Sequence, residues 1–333
     1  MPISTEYELA SDMYAKVSFI TVNEAEGAGQ RIDNFLVKKL KNIPKSKIYS
    51  ILRKGEVRVN KGRIKPSYKL EVDDVIRLPP PTNVTTSKAP VILPQQKNSL
   101  AATTEILYED ANLLIVNKPS GLAVHGGSGL SFGLIELMRS LRPEATTLEL
   151  IHRIDRDTSG CIMLAKSPTM LRAMHQLFKD NKIKKTYHAL VKGFAQENFS
   201  VNEPLKKFLL SSGERLVRVH PEGQASLTKF TVLARYEGAT LLQAMPITGR
   251  THQIRVHAAT RGLPIVGDQK YGDKNYNQIM HKLGLQRLFL HARELQFICP
   301  LTGRKMHLQA PYDAAWNKLN LVLAKGHIEN ARK

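Results

Sequence analysis

The sequence predicts an α+β protein in two parts. A small basic module precedes a larger domain with a mixed, largely antiparallel sheet flanked by helices. Three observations carry this. Residues 31–77 hold 14 Lys and Arg against 5 Asp and Glu, so the basic charge is concentrated. Five prolines among small polar residues then mark Pro79 to Thr104 as a linker. Beyond Glu105, strand-like runs and amphipathic helices follow one another without strict βαβ alternation. The expected organisation is an N-terminal extension (1–28), a basic module (29–78), a linker (79–104), a main domain (105–325) and a tail (326–333).

Each element has a local reason. "RIDNFLVKKL" puts Ile32, Phe35, Leu36 and Leu40 at helical spacing. "PKSKIYSILRKG" does the same with Ile48, Ile51 and Leu52, and Gly55 suits the helix C-cap. "EVRVN" alternates and buries Val57 and Val59, while "KLEVDDVIRL" reads as strand, turn at Asp73-Asp74, strand. Two short helices and a small β element with outward basic side chains describe an RNA-binding module, although a merely solvated basic face has the same pattern. In the main domain, "NLLIVNKPSG" is a buried strand ended by a Pro-Ser-Gly turn. "FGLIELMRSLRP" is an amphipathic helix on Leu134, Leu137, Met138 and Leu141, stopped before Pro143. Further strands are expected at "CIMLAK", "TYHALVKG", "TKFTVLARY", "TLLQAMPI" and "LQFICP", with helices at "TMLRAMHQLFKD" and "AAWNKLNLVLAK".

Composition narrows the function. The chain has 333 residues, 42% hydrophobic, and a net charge of +20. A core is affordable, and so basic a protein calls for a polyanionic partner. No apolar run approaches the ~20 residues that span a bilayer, and the acidic N-terminus lacks a signal-peptide core. Cys161 and Cys299 lie far apart without a CxxC, which disfavours a disulfide framework and zinc and fits a cytoplasmic setting.

Some motifs lead nowhere. "GLSFG" matches G-x-S-x-G, but a glycine-rich loop stands where the nucleophile elbow needs a strand, so Ser131 reads as a helix N-cap. His252 and His257 have no cysteine pair, so no metal is expected. With no P-loop and no G-x-G-x-x-G, no nucleotide cofactor is expected either.

The chemistry concentrates in "HRIDRDTSG", His152 to Gly160. On an extended strand, Arg153, Asp155 and Asp157 would share a face. Apolar flanks anchor the segment against the core, where an Asp needs a cation. A paired Arg keeps such an Asp anionic, available as nucleophile or base. A second cluster, "TGRTHQIRVHAA", read as a strand, offers Arg250, His252 and Arg255 for phosphate or carboxylate recognition. Tyr187 among Lys184, Lys185 and Lys192 suits stacking on a nucleobase, with an ordinary strand tyrosine as the alternative.

"HRIDRDTSG" resembles the catalytic signature of the large-ribosomal-subunit family of pseudouridine synthases. "LLIVNKPSGLAVH" (113–125), "KKTYHALVKG" (184–193) and "PITGRTHQIRVHAA" (246–259) resemble its other signatures in order, and the basic block resembles its S4 (α-L) RNA-binding domain. Ile154 stands where the family usually has Leu. The resemblance implies isomerisation of uridines to pseudouridine in large-subunit (23S) ribosomal RNA, at several sites, without a cofactor. It implies that Asp155 is the catalytic carboxylate and that Arg255 pairs with it. Tyr187 would pack on the target base, Arg153 would help occupy the gap of a flipped nucleotide, and Arg250 and His252 would position the RNA backbone. Asp157 would be dispensable or supporting. In the S4 module the implied RNA contacts are Arg31, Lys45, Lys47, Arg53, Lys54, Arg58, Lys61 and Arg63. Ribosomal RNA is the expected partner, with no membrane and no obligatory protein partner, and a monomer as the default. Two rivals remain at this stage. One is a non-catalytic RNA-binding ribosome-assembly factor. The other is a glycosidase using Asp155 and Asp157, disfavoured because two carboxylates ~7 Å apart on one strand face do not flank a scissile bond.

Overall fold

The computed structural model describes residues 17–24, 27–40, 43, 45–80, 94–126, 132–145, 147–209 and 214–324. The chain divides into two compact units, Met1–Val91 and Ile92–Lys333.

In the first unit, strand β1 (Ser18–Thr21) precedes helices α1 (Ile32–Lys39) and α2 (Lys45–Lys54), then strands β2 (Arg58–Val59) and β3 (Val75–Leu78). The sheet order is β1-β3-β2, antiparallel throughout. Ile32, Phe35 and Leu36 meet Ile48, Ile51 and Leu52 across the helix pair, and Val57, Val59, Leu70 and Ile76 close the core from the sheet. Gly55 ends α2 at φ +70°, a left-handed conformation that a side chain resists. The expected N-terminal extension needs correction at its end. Residues 18–21 pair with β3, and Val22 is buried in the same core. The signal was weak because the strand is short and lies at a sheet edge, with Phe19 exposed.

The second unit opens with α3 (Pro94–Thr103), so the final part of the expected linker is helical. Its sequence carries no apolar stripe, hence no periodic signal. Then come β4 (Glu105–Glu109), β5 (Leu113–Lys118), α4 (Leu134–Leu141), β6 (Glu149–Leu150), β7 (Ser159–Ala165), α5 (Pro168–Lys179), β8 (Lys184–Lys192), β9 (Phe199–Asn202), β10 (Leu205–Leu209), β11 (Arg215–Val219), β12 (Leu227–Tyr236), β13 (Ala239–Pro246), α6 (Gln253–Thr260), α7 (Lys274–Lys282), β14 (Leu290–Ile298), β15 (Lys305–Gln309) and α8 (Ala314–Ala324).

Among the described residues one large sheet runs β4-β5-β7-β14-β8-β13-β12-β9, with β6 beside β7 and β15 beside β14; β10 and β11 form a separate hairpin. Every pair in the large sheet is antiparallel except β7–β14. The central strands are buried on both faces, which is why they read as unbroken apolar runs. On β5, Leu113 and Ile115 face the core that contains Met170 and Met174 of α5. Leu114 and Val116 face the core that contains Leu134 and Met138 of α4. Ile254 and Ala258 of α6 pack against β8 and β13, while α7 and α8 cover another patch through Tyr276, Met280 and Trp316.

Two local expectations change. Ser131 lies outside the described residues, and the N-cap of α4 is Gly133, whose N–H donates to the Glu136 carboxylate at 2.8 Å. "THQIRVHAA", read as a strand, is helix α6. Gln253 to Ala258 are all buried, so the helix has no polar face to reveal its period.

Candidate active site

Strand β6 ends at Leu150, and the chain then crosses the sheet end as an irregular loop, 151–158, before entering β7. It is not the extended strand expected for this charged segment. Ile151 and Ile154 anchor it in the two cores on either side of β7. A turn at Arg156-Asp157, closed by the Thr158 N–H donating to Asp155 O at 3.2 Å, sends Asp155 and Asp157 in different directions. Asp157 pairs with its neighbour Arg156 at 3.0 Å in a solvent-exposed contact. Asp155 lines a cleft of about 420 Å³ together with Arg153, Tyr187, Lys185, Arg250, His252 and Arg255.

The "NKPSG" turn holds this loop. The Lys118 ammonium is fully buried and donates to the carbonyls of Pro119, Leu122 and Arg156 at 2.9, 2.7 and 2.8 Å. Ser120 Oγ donates to Asp157 O at 2.6 Å, and Gly121 N–H to Arg156 O at 3.0 Å. Burial pulls the Lys118 ammonium below its ordinary range, while the fields of Asp157 and Asp155 act against that. Three acceptors need three N–H donors, so the geometry is that of the charged form.

Arg255 comes from α6, on the opposite wall. Its Nη1 donates to Asp155 Oδ2 at 3.0 Å, and its Nε and Nη2 grip Asp268 side-on at 2.7 and 2.8 Å. Asp268 is fully buried, and it also accepts the N–H groups of Lys270 and Tyr271 at 2.9 and 3.0 Å. These bonds and the guanidinium hold its carboxyl below the usual range against the cost of burial. One guanidinium thus faces two carboxylates, and the surplus negative charge falls on the solvent-accessible one, Asp155. Tyr271 lies under the guanidinium, 5.1 Å from carbon to ring centroid.

His252 sits at the N-cap of α6 with φ +54°. A non-glycine residue held there is strained by ~1–3 kcal/mol. A hydrogen bond between its Nδ1 and Tyr271 OH, 2.7 Å, fixes the ring, and its Nε2 lies 3.9 Å from Asp155 Oδ1. Burial lowers the pKa of His252 and the Asp155 charge opposes this. Gln253 shapes the turn that presents these groups. Its Oε1 accepts from Thr248 Oγ1 at 2.7 Å and Arg250 N at 3.0 Å, and its Nε2 donates to Leu227 O and Thr228 Oγ1. Arg250 itself is exposed, with Nε donating to Ala225 O at 3.2 Å. Tyr187, on β8, is packed between the cores under α4 and α6, and burial drives its phenol well above the ordinary range. Arg153 is exposed at the cleft rim.

The chain matches known family models. A model described as RNA pseudouridylate synthase matches residues 112–260, and an S4 domain model matches residues 30–76. Ribosomal large subunit pseudouridine synthase C of Pasteurella multocida is 53% identical over 304 residues, covering 91% of this chain and 93% of that one. Its namesake from Escherichia coli K12 is 52% identical, covering 90% and 93%. The chain belongs to the RNA pseudouridylate synthase family. It is therefore an isomerase with an S4 RNA-binding domain. Among solved structures, human RNA pseudouridylate synthase domain containing 4 is similar at 28% identity and TM-score 0.54, covering 70% of this chain and 97% of that one.

Asp155, Arg153, Tyr187, Arg250, His252 and Arg255, the synthase-domain candidates from sequence, converge on the one cleft. In the S4 domain Arg53, Lys54, Arg58, Lys61 and Arg63 are exposed. Arg58 Nε donates to Gly55 O at 3.2 Å, and Arg63 packs on the Gly55 backbone, so both gather at the C-terminus of α2. Arg31 is engaged by the buried Asp33 at 2.6 Å, which Tyr49 OH also contacts at 2.9 Å. The side chains of Lys45 and Lys47 lie outside the described residues. Sequence reasoning missed Lys118, Gln253, Asp268 and Tyr271. Lys118 and Gln253 stood inside the quoted motifs as ordinary polar residues. Asp268 and Tyr271 lie in "GDQKYG", where two flanking glycines were the available signal.

Proposed function

We propose that this protein isomerises uridines of large-subunit ribosomal RNA to pseudouridine, with Asp155 as the reacting carboxylate. The observation that carries the reading is the Asp155–Arg255–Asp268 arrangement in the cleft: a carboxylate oriented by a guanidinium that a second, buried carboxylate fixes in place. The reaction breaks the C1′–N1 bond, turns the uracil and joins C1′ to C5; the C5 proton leaves to solvent and N1 takes one up. The product therefore has the substrate's composition, and the residues must supply position, charge and a path for that proton. Asp155 brings its anion to the sugar. Limited solvent access protects a sugar cation from capture by water, and the Asp155 side chain is 23% exposed. Tyr187 offers a stacking face for the base, and stacking is worth about 1–3 kcal/mol. That offsets the few kcal/mol needed to take the uridine out of its stack. Arg153 at the rim is placed to fill the gap it leaves. The relatives named as acting on the ribosomal large subunit support that substrate here, because the similarity covers nearly the whole chain.

Tritium release from 5-tritiated uridine in unmodified large-subunit RNA tests this. Release abolished in Asp155→Asn and retained in Asp157→Asn is expected. An Asp155→Ala protein that releases tritium at the normal rate would refute it. RNA binding without any release by the wild-type protein would favour an assembly factor instead.

A further inference from the structure

The cleft also carries a cation with no assigned task. Lys185 lies two residues before Tyr187 on β8, so both point to the same face, and both line the cleft. Its ammonium sits 5.8 Å from the centroid of the Phe178 ring. That ring leans on His152, centroids 5.2 Å apart. His152 is neutral: burial takes its pKa down to about 3, and its Nε2 accepts the Met163 N–H at 3.1 Å. No ion pair to Lys185 is formed among the described residues, and the ammonium is destabilised by burial with no carboxylate opposing it. The cleft's acid, Asp155, is already held by Arg255. Two other lysines withdrawn from solvent are compensated: the half-buried Lys166 meets Glu109 at 3.0 Å, and the fully buried Lys118 meets three carbonyls.

A desolvated ammonium is costly until an anion joins it, and a ring face compensates it only in part. We propose that Lys185 is a phosphate-binding residue that takes a backbone phosphodiester next to the target nucleotide while Tyr187 takes the base. The proposal rests on the cleft being the uridine site. In RNA the phosphodiester is the group that is anionic at neutral pH, and Cα positions two residues apart on a strand, about 7 Å, span roughly one nucleotide from base to phosphate. Lys179 and Asn181, both exposed, line the same cleft. A phosphate contact carries no base identity. Lys185 therefore sets affinity and register, not the choice of sequence.

The test uses the full chain and a ribosomal RNA fragment with a neutral methylphosphonate at the linkage 5′ or 3′ to the target uridine. Equilibrium binding and single-turnover pseudouridine formation are both read. For the wild-type protein, one of the two linkages should weaken binding by about 10- to 100-fold, the range of a charged hydrogen bond, with the bound-state rate changed little. Lys185→Gln on normal RNA should lose the same factor. The variant and that linkage together should lose no more than either alone, and Lys185→Arg should recover most of the affinity. The slope of log K against log salt should also fall by about 0.7–0.9 in Lys185→Gln. Wild-type binding indifferent to both linkages overturns the proposal, whether or not the variant folds. Additive losses overturn it equally. Normal linkage effects on binding with no pseudouridine formed would instead refute the uridine-isomerase reading and leave the phosphate contact standing.

Discussion

Arg255 divides its guanidinium between two acids, giving two parallel bonds to Asp268 and one to Asp155. A lysine has the charge without the planar fork, so it can hold one carboxylate but not orient against both. Arg255→Lys should lower kcat by about 100-fold, the cost of misplacing a reacting group by ~1 Å, with a smaller change in RNA affinity. Single-turnover kinetics at saturating RNA checks this, and an unchanged rate would mean that the pairing is only structural. Asp268→Ala strips a buried cation of its partner, which typically costs about 3–5 kcal/mol. Urea unfolding should show a loss of that order, with turnover falling as Asp155 loses its fixed counterion. At this scale the sequence was informative where a residue type is chemically demanding. Asp155, Arg255 and Tyr187 stood out; Asp268 did not, because its partner is 13 residues away through a turn that spacing does not describe.

The elements explain how a loop can be rigid enough for chemistry. The parallel pairing of β7 with β14 brings Gly160 opposite Ala292. Gly160 has φ +108°, and an added Cβ would lie 2.7 Å from Ala292 N and closer still to its carbonyl oxygen. Gly160→Ala should therefore push the two strands apart just after the 151–158 loop and lower stability by ~2 kcal/mol or more, as substitutions at strained backbone positions do. A denaturation midpoint equal to wild type would contradict this. Lys118 works from the other side, as a buried tether between the β5 turn and the 151–158 loop. Lys118→Met strips the Pro119, Leu122 and Arg156 carbonyls of a donor, and of these Arg156 O keeps the Gly121 N–H; each carbonyl left unpaired costs about 1–3 kcal/mol before relaxation. Its unfolding free energy should drop, and turnover should drop more than RNA binding does. Helix α6 was mistaken for a strand because burial on all sides erases the amphipathic period. Helix α3 was missed for the opposite reason, having no apolar stripe at all.

Over the whole molecule, charge and titration set the working conditions. His291 is buried and His152 and His188 are half-buried, and desolvation pushes His152, His188 and His291 down to about 3, 4 and 4. Each gains a proton on unfolding once the pH is below about 6.5, the ordinary value. Their lowered pKa values therefore contribute stability that is present above about pH 6.5 and is lost as pH falls towards 4. Urea midpoints measured from pH 7.5 to 4.5 should fall accordingly. His291→Asn should flatten that slope, and a slope unaltered by it would exclude His291 from the effect. Phosphate contacts made by a basic domain release counterions. Removal of residues 1–91, the whole first unit, should weaken RNA binding and its salt dependence strongly while sparing turnover at saturating RNA. Equal loss of both would show that the S4 domain takes part in the chemistry.

The sequence by itself determined the two-part organisation, the sheet-based class and the identity of the charged groups. These follow from local periodicity, from composition and from residue types whose burial needs a reason. Tertiary structure alone decided which charges meet. Asp155 and Asp157 are two residues apart, yet a turn puts one in the cleft and the other in solvent. Asp155 and Arg255 are 100 residues apart, and a parallel strand pair with a helix buried from Gln253 to Ala258 brings them to 3.0 Å. Contact across a sheet end depends on register and packing summed over many elements, and no short stretch of sequence carries that sum.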